Sequence, residues 1–196
     1  MVNVKHIIDS LGLETNLTLD DIPNIDLYMD QVIQLFENKF NMSKRNQEDK
    51  IITKTMINNY AKGKLIFPIQ NKKYSKEHLI LMSLIYQLKR ALSINDIKIT
   101  LSGVNKKIIN DDMDLASFYS SYLHLAGQNV TDFKEDIEER VTAVMEEITE
   151  DHKEDAAYLE QALMISSLVH MSNLYRKTAE RLVDEMVVEN EGKRQK

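Results

Sequence analysis

The stretch TKTMINNYAKGKLIFPIQNKKYSKEHLILMSLIYQL, Thr53 to Leu88, decides how this chain is read. Thr53 is placed to cap a helix running through Lys62. At about 100° per residue, Lys54, Thr55, Asn58, Asn59 and Lys62 fall in one arc of that helix. Met56, Ile57, Tyr60 and Ala61 fall in the opposite arc, without overlap. One face is therefore set to bury, and the other presents two Lys, two Asn and a Thr. Gly63 reads as the helix stop. Pro68 holds Phe67 extended. Leu65, Ile66, Phe67 and Ile69 have β character, and Gln70–Asn71 suits a turn. The expectation is a small two-stranded wing with Lys72 and Lys73 near its tip. Ser75 caps a long helix from Lys76 to about Ala91, whose apolar run Leu79 to Leu88 makes it the central core helix. Ser93 caps a short helix from Ile94 to about Leu101.

Working outward, Val4 to Leu11 reads as a short helix ending at Gly12, followed by a polar connection containing Pro23. A helix over Asp26 to Lys39 carries Leu27, Val32, Leu35 and Phe36 at helical spacing. Met42 to Lys50 reads as a charged loop or a loose helical turn. Beyond Val104 the spacing predicts a helix from Asp111 to Ala126 closed by Gly127, with Tyr119 and Leu123 among its inward positions. A second helix is capped by Thr131 and carries Phe133, Ile137, Val141 and Val144. A third runs from Glu154 to about Glu189, with Leu159, Leu163, Leu174, Leu182 and Met186 on its apolar side. The expected fold class is thus mainly all-α, with a small β wing and an acidic C-terminal three-helix array. The expected units are 1–25 (an N-terminal helix and connection), 26–107 (the winged region), 108–192 (the acidic helical region, for dimerisation or regulation) and a frayed tail at 193–196.

Charge divides the same way. Lys39 to Lys107 holds fifteen Lys/Arg against four Asp/Glu, a net of +11, whereas residues 1–38 carry −6 and residues 108–196 carry −11. The overall balance of −6 hides this split. Segmental charge is the better guide to partners, and the basic segment is an electrostatic footprint suited to phosphates. The acidic helices are expected either to fold back over the basic face or to self-associate.

The succession of polar-faced helix, short wing with paired lysines, long apolar helix and short capped helix resembles the winged helix-turn-helix of the MerR family. There, a recognition helix ends in an aromatic pair, a Gly-Leu step leads into the wing, a Tyr closes it, and a Ser or Thr starts the next helix. MINNYAKGKLIFP holds Tyr60, Gly63, Leu65 and Pro68; KKYSKEHL holds Tyr74 and Ser75; and ALSINDIK resembles the step into the following helix. The aromatic pair stands here as Asn59–Tyr60, and Gly63–Lys64 is transposed relative to the family's order. The resemblance covers about Ile51 to Leu101. DIPNIDLYMDQV, TKTMINNYAKGKL and KKYSKEHL together are similar to an uncharacterised bacterial family catalogued as domain of unknown function 1836, over about Asp21 to Leu101. That similarity implies a MerR-like DNA-binding region and brings no activity with it.

The expected function is a DNA-binding transcriptional regulator, with double-stranded DNA as partner. The helix Thr53–Lys62 would enter the major groove. Lysine suits phosphate or guanine and asparagine suits adenine, so Asn58 and Asn59 are the nearest to base readers, beside Lys54, Thr55 and Lys62. Lys64, Lys72, Lys73 and Tyr74 would hold the backbone, with Lys44 and Arg45 adding phosphate contacts. A homodimer is expected, because one short helix reads only a few base pairs. The alternative is a helical protein–protein interaction module that binds an acidic partner through the same surface. No enzyme is expected: there is no Cys, no phosphate-cradling glycine loop and no nucleophile elbow, and the five His are dispersed. His152 beside Asp151, Glu154 and Asp155 reads as a solvated helix end and not a metal site. No catalytic residue, metal ligand or cofactor is assigned. The absence of Cys, of a signal-peptide pattern in MVNVKHIIDSLGL and of any stretch long enough to span a bilayer leads to the expectation of a cytoplasmic protein without a membrane partner.

Overall fold

Three helix starts follow from capping chemistry that needs only neighbouring residues. The Thr53 hydroxyl accepts the Met56 N–H at 3.1 Å. The Ser93 hydroxyl accepts the Asp96 N–H, and the Asp96 carboxylate reaches back to the Ser93 N–H, both at 3.2 Å. At Ser75 the backbone N–H is taken by His78 Nδ1 at 3.1 Å. Each contact satisfies an amide that the first helical turn leaves open.

The computed structural model describes residues 4–148 and 155–194. In chain order these form α1 (Val4–Ser10), β1 (Leu27–Tyr28), α2 (Met29–Phe40), α3 (Lys54–Lys62), β2 (Lys73–Tyr74), α4 (Lys76–Leu88), α5 (Ile94–Ile109), α6 (Leu115–Glu147) and α7 (Ala156–Arg194). The protein is mainly helical, as its composition and spacing predict. The expected start of the last helix at Glu154, the acidic neighbours of His152 apart from Asp155, and the end of the tail lie outside the described residues.

Helix α4 is the axis of the core. Nine consecutive residues, His78 to Tyr86, are buried. Val32, Phe36 and Phe40 of α2, Ile57 and Tyr60 of α3, Ile97 and Leu101 of α5, and Leu115 and Tyr119 of α6 surround it. Burying each such side chain contributes about 1.5–3 kcal/mol. The core also takes in Leu17 and Ile22 from the connection before β1, so it reaches past residue 26 on one side and residue 108 on the other. Tyr119 seals it: its hydroxyl donates to the Leu17 carbonyl at 2.6 Å and accepts from Ser83 Oγ at 2.8 Å.

Several expectations are corrected. The wing is not a two-stranded sheet of its own. Lys73–Tyr74 pairs antiparallel with Leu27–Tyr28, in the register Leu27 opposite Tyr74 and Tyr28 opposite Lys73. Within the wing only a single bridge joins Gln70 and Lys73. Leu65 and Ile66 are buried; they turn into the core, and an apolar pocket outcompetes a solvated ladder. Helix α5 runs to Ile109 instead of stopping near Leu101. Among the described residues the C-terminal region is two long helices, not three. Gly127 and Thr131 lie inside α6, and Thr131 Oγ1 donates to the Gly127 carbonyl. An interior glycine costs only about 1 kcal/mol, too little to break a helix of 33 residues. The start of α6 is capped by Asp114, whose carboxylate accepts the Ser117 N–H at 3.1 Å.

Helix α7 lies against α5 and α6. Arg140 of α6 pairs with Asp136 and donates to Ser167 Oγ of α7 at 3.1 Å. Leu163, Leu174, Leu182 and Met186, expected on the apolar side of the last helix, are exposed. Among the described residues no helix is long and apolar enough to cross a membrane.

Candidate nucleic-acid interface

On α3 the observed burial matches the angular reading. Ile57 and Tyr60 are buried, Met56 and Ala61 half-buried, and Lys54, Thr55, Asn58, Asn59 and Lys62 exposed. Burial pushes the Tyr60 phenol above its ordinary range, as expected for a ring facing the core.

The turn after α3 explains the order Gly63–Lys64. The Leu65 N–H reaches the Tyr60 carbonyl at 2.9 Å, and the Lys64 N–H reaches the Ala61 carbonyl at 3.1 Å. That is a Schellman ending, whose left-handed position is usually glycine. Here Lys64 takes it, at φ 59°. Gly63 is required for space instead: a Cβ there would sit 2.7 Å from Leu65 Cδ1 and 3.0 Å from the Asn59 carbonyl oxygen. Asn105 of α5 supports the turn from below, donating to the Leu65 carbonyl at 2.9 Å. The strained cap thus holds the Lys64 amine at the end of the exposed face of α3.

The second turn is Gln70 to Lys73. Asn71 and Lys72 have φ 51° and 58°, and the Lys73 N–H donates to the Gln70 carbonyl at 2.9 Å. Two successive positive φ values are the mark of a tight hairpin turn. Lys72 stands at the tip, exposed, and Lys73 lies beside it, half-buried.

The segment at the start of α2 touches both the first residue of α3 and the second turn. Lys73 Nζ sits 5.4 Å over the Tyr28 ring. Lys54 Nζ pairs with Asp30 at 2.8 Å. Tyr28 and Asp30 are two residues apart, so the first lysine of α3 and the last residue of the hairpin turn meet on one short segment. Neither Tyr28 nor Asp30 is among the residues picked from sequence. The signal for Tyr28 is an aromatic side chain left 55% exposed, which only the fold reveals. Asp30 lies within the basic surface, and its pairing with Lys54 is solvent-exposed and correspondingly weak.

Two of the sequence-selected residues leave this surface. Tyr74 is buried at 3% exposure, and burial raises its phenol; it packs edge-on to His78 at 6.0 Å as part of the core. Lys44 is spoken for: its amine pairs with Glu37 at 2.6 Å with only 12% of its side chain exposed. Burial opposes the charge of Glu37. Lys44 and the Ile51 N–H, 3.1 Å away, outweigh it and hold the carboxyl below the usual range. That carboxylate fastens the long connection between α2 and α3. Lys89 likewise turns inward, donating to the Ile51 carbonyl at 2.7 Å. Arg45 remains exposed. The surface cations that remain of those named are Lys54, Lys62, Lys64, Lys72, Lys73 and Arg45.

His78 lies against Phe67, ring centroids 3.8 Å apart and planes tilted by 30°. Burial holds its imidazole below the ordinary value, so it is neutral, with Nδ1 accepting from Ser75 and Nε2 facing the Phe67 carbonyl. This is a core histidine.

A family model described as Domain of unknown function (DUF1836) matches residues 17–122, more than half of the chain. Neither a curated protein nor a solved structure matches the chain. The ends of the matched interval meet in space: Tyr119 donates to the Leu17 carbonyl and stacks on Tyr122 at 5.7 Å. The match therefore encloses the core and the basic surface and leaves out α1, most of α6 and all of α7.

Proposed function

We propose, for a chain that belongs to the family of domain of unknown function 1836, that it is a DNA-binding transcriptional regulator. In this reading α2, α3 and the 70–73 turn act as a MerR-like winged helix-turn-helix, with α3 in the major groove. The observation that carries it is the exposed face of α3: Lys54, Thr55, Asn58, Asn59 and Lys62 all project outward, with Lys64 at one end and Lys73 beside the Lys54 end. A groove-sized helix with two asparagines between lysines has both kinds of contact it needs. Lysines at the ends position the protein on phosphate, and the amides between them meet base edges. A helix of nine residues spans only a few base pairs, so the reading implies two copies on two half-sites.

Anisotropy with a labelled duplex tests this. Six cations that each neutralise a phosphate make affinity fall about a thousandfold between 50 and 200 mM salt. Lys62→Ala lowers the salt slope by about one phosphate, alike on every sequence. A flat salt response, or a slope that Lys62→Ala leaves unchanged, overturns the proposal.

A further inference from the structure

From Gln161 to Tyr175 helix α7 has no Asp, Glu, Lys or Arg: QALMISSLVHMSNLY. Four turns of helix without a charge belong in an interior, yet in this stretch only Met164 is buried. It lines a small apolar cavity together with Val141 and Val144 of α6 and Val4 of α1. The opposite half of the helix is left uncovered by the described residues. There Tyr158 is 71% exposed, Ile165 56%, Val169 54%, Leu174 46% and Leu163 42%.

We infer that this face of α7 is where a second copy of the chain docks, antiparallel and related by a two-fold axis. Three observations commit it to that occupant. The first is area. The five exposures amount to roughly 500 Å² of apolar side chain, and one side of a standard interface is about 800 Å², some three-fifths of it apolar. The second is charge. Any acidic face repels its own copy across a two-fold axis, and residues 108–196 carry −11; the uncharged face is the one this region can present to itself. The third is the seam. Ala162, Ser166, Val169 and Asn173 recur at intervals of four, three and four along the middle of the face, as helix pairing requires. Ser166 already donates to the Ala162 carbonyl at 2.8 Å, so its hydroxyl enters the seam satisfied. The antiparallel register sets Ser166 against Val169 of the second copy, the two exposed residues at the centre of the seam.

The inference rests on the DNA reading only for the use of a second copy, and its test contains no DNA. Sedimentation equilibrium of the full chain at tens of micromolar gives a dimer. Val169→Glu gives a monomer with unchanged far-ultraviolet circular dichroism, and Leu125→Glu, at an equally exposed apolar site on α6, stays dimeric. Because the chain has no native Cys, an equimolar mixture of Ser166→Cys and Val169→Cys chains forms a disulfide-linked pair on mild oxidation. That measurement decides the case should Val169→Glu unfold. A monomeric wild type, a dimeric Val169→Glu chain or no linked pair overturns the inference. Salt-dependent DNA binding by a monomer would sink this interface and, of the proposed function, only the pairing of two copies on two half-sites, leaving α3 as the DNA-contacting element.

Discussion

Helices α4 and α7 are both rich in Leu, Ile and Met, and they use those residues in opposite ways. Helix α4 buries nine residues in succession, enclosed by α2, α3, α5 and α6. In α7 only Met164 and Val183 are buried among the described residues, while Tyr158, Ile165, Val169, Tyr175, Leu182 and Val188 are more than half exposed. An apolar residue stabilises a fold only where other elements arrive to cover it. Within one copy, neighbours surround α4, whereas α5 and α6 cover α7 only in part.

A paired substitution tests that contrast with the largest expected effect. Leu81→Ala, at a fully buried position, costs about 2–5 kcal/mol in a urea titration. Leu182→Ala, at 63% exposure, costs under about 0.5 kcal/mol. Equal costs would break the comparison.

Next in size is the polar lock on the core. Tyr119→Phe leaves the Leu17 carbonyl and the Ser83 hydroxyl without their partner and lowers stability by about 1–3 kcal/mol. Burial pushes the Tyr119 phenol from 10.0 up to about 12, eased by Ser83. The unfolded chain therefore ionises first as pH rises. Stability from this group is complete below pH 10 and is lost between pH 10 and about 12. Denaturant midpoints across that window should fall less steeply for Tyr119→Phe than for wild type; equal slopes would place the loss elsewhere.

The smallest effect has opposite signs in two assays. Lys64→Gly relieves the left-handed cap and raises stability by about 0.5–1 kcal/mol, while DNA affinity drops and the salt slope declines by about one phosphate. A destabilised variant would mean that the Lys64 stem contributes packing that outweighs the strain.

The legible parts of this molecule are those that depend on near neighbours. Thr53, Ser75 and Ser93 announce their helices, and the two arcs of α3 separate as its spacing predicts. Local signals also misled. Gly127 and Thr131 resemble a stop and a start, but a continuous backbone ladder overrides both. The wing misled for a different reason. Its partner strand, Leu27–Tyr28, lies more than forty residues away and is two residues long, too short for an alternating pattern. Pairing with it and packing under the turn are what bury Tyr74.

By itself the sequence determined the caps, the apolar and polar faces of α3 and the apolar identity of α4, because a helix is specified by contacts within about four residues. Only the tertiary structure decided which cations stay available. Lys44 was drawn in by Glu37 and Lys89 by the Ile51 carbonyl, whereas Lys62, Lys64 and Lys72 were left at the surface. A lysine is free or engaged according to what the folded chain brings within hydrogen-bonding reach, whether seven residues away as for Lys44 or thirty-eight as for Lys89, and linear order does not specify that approach.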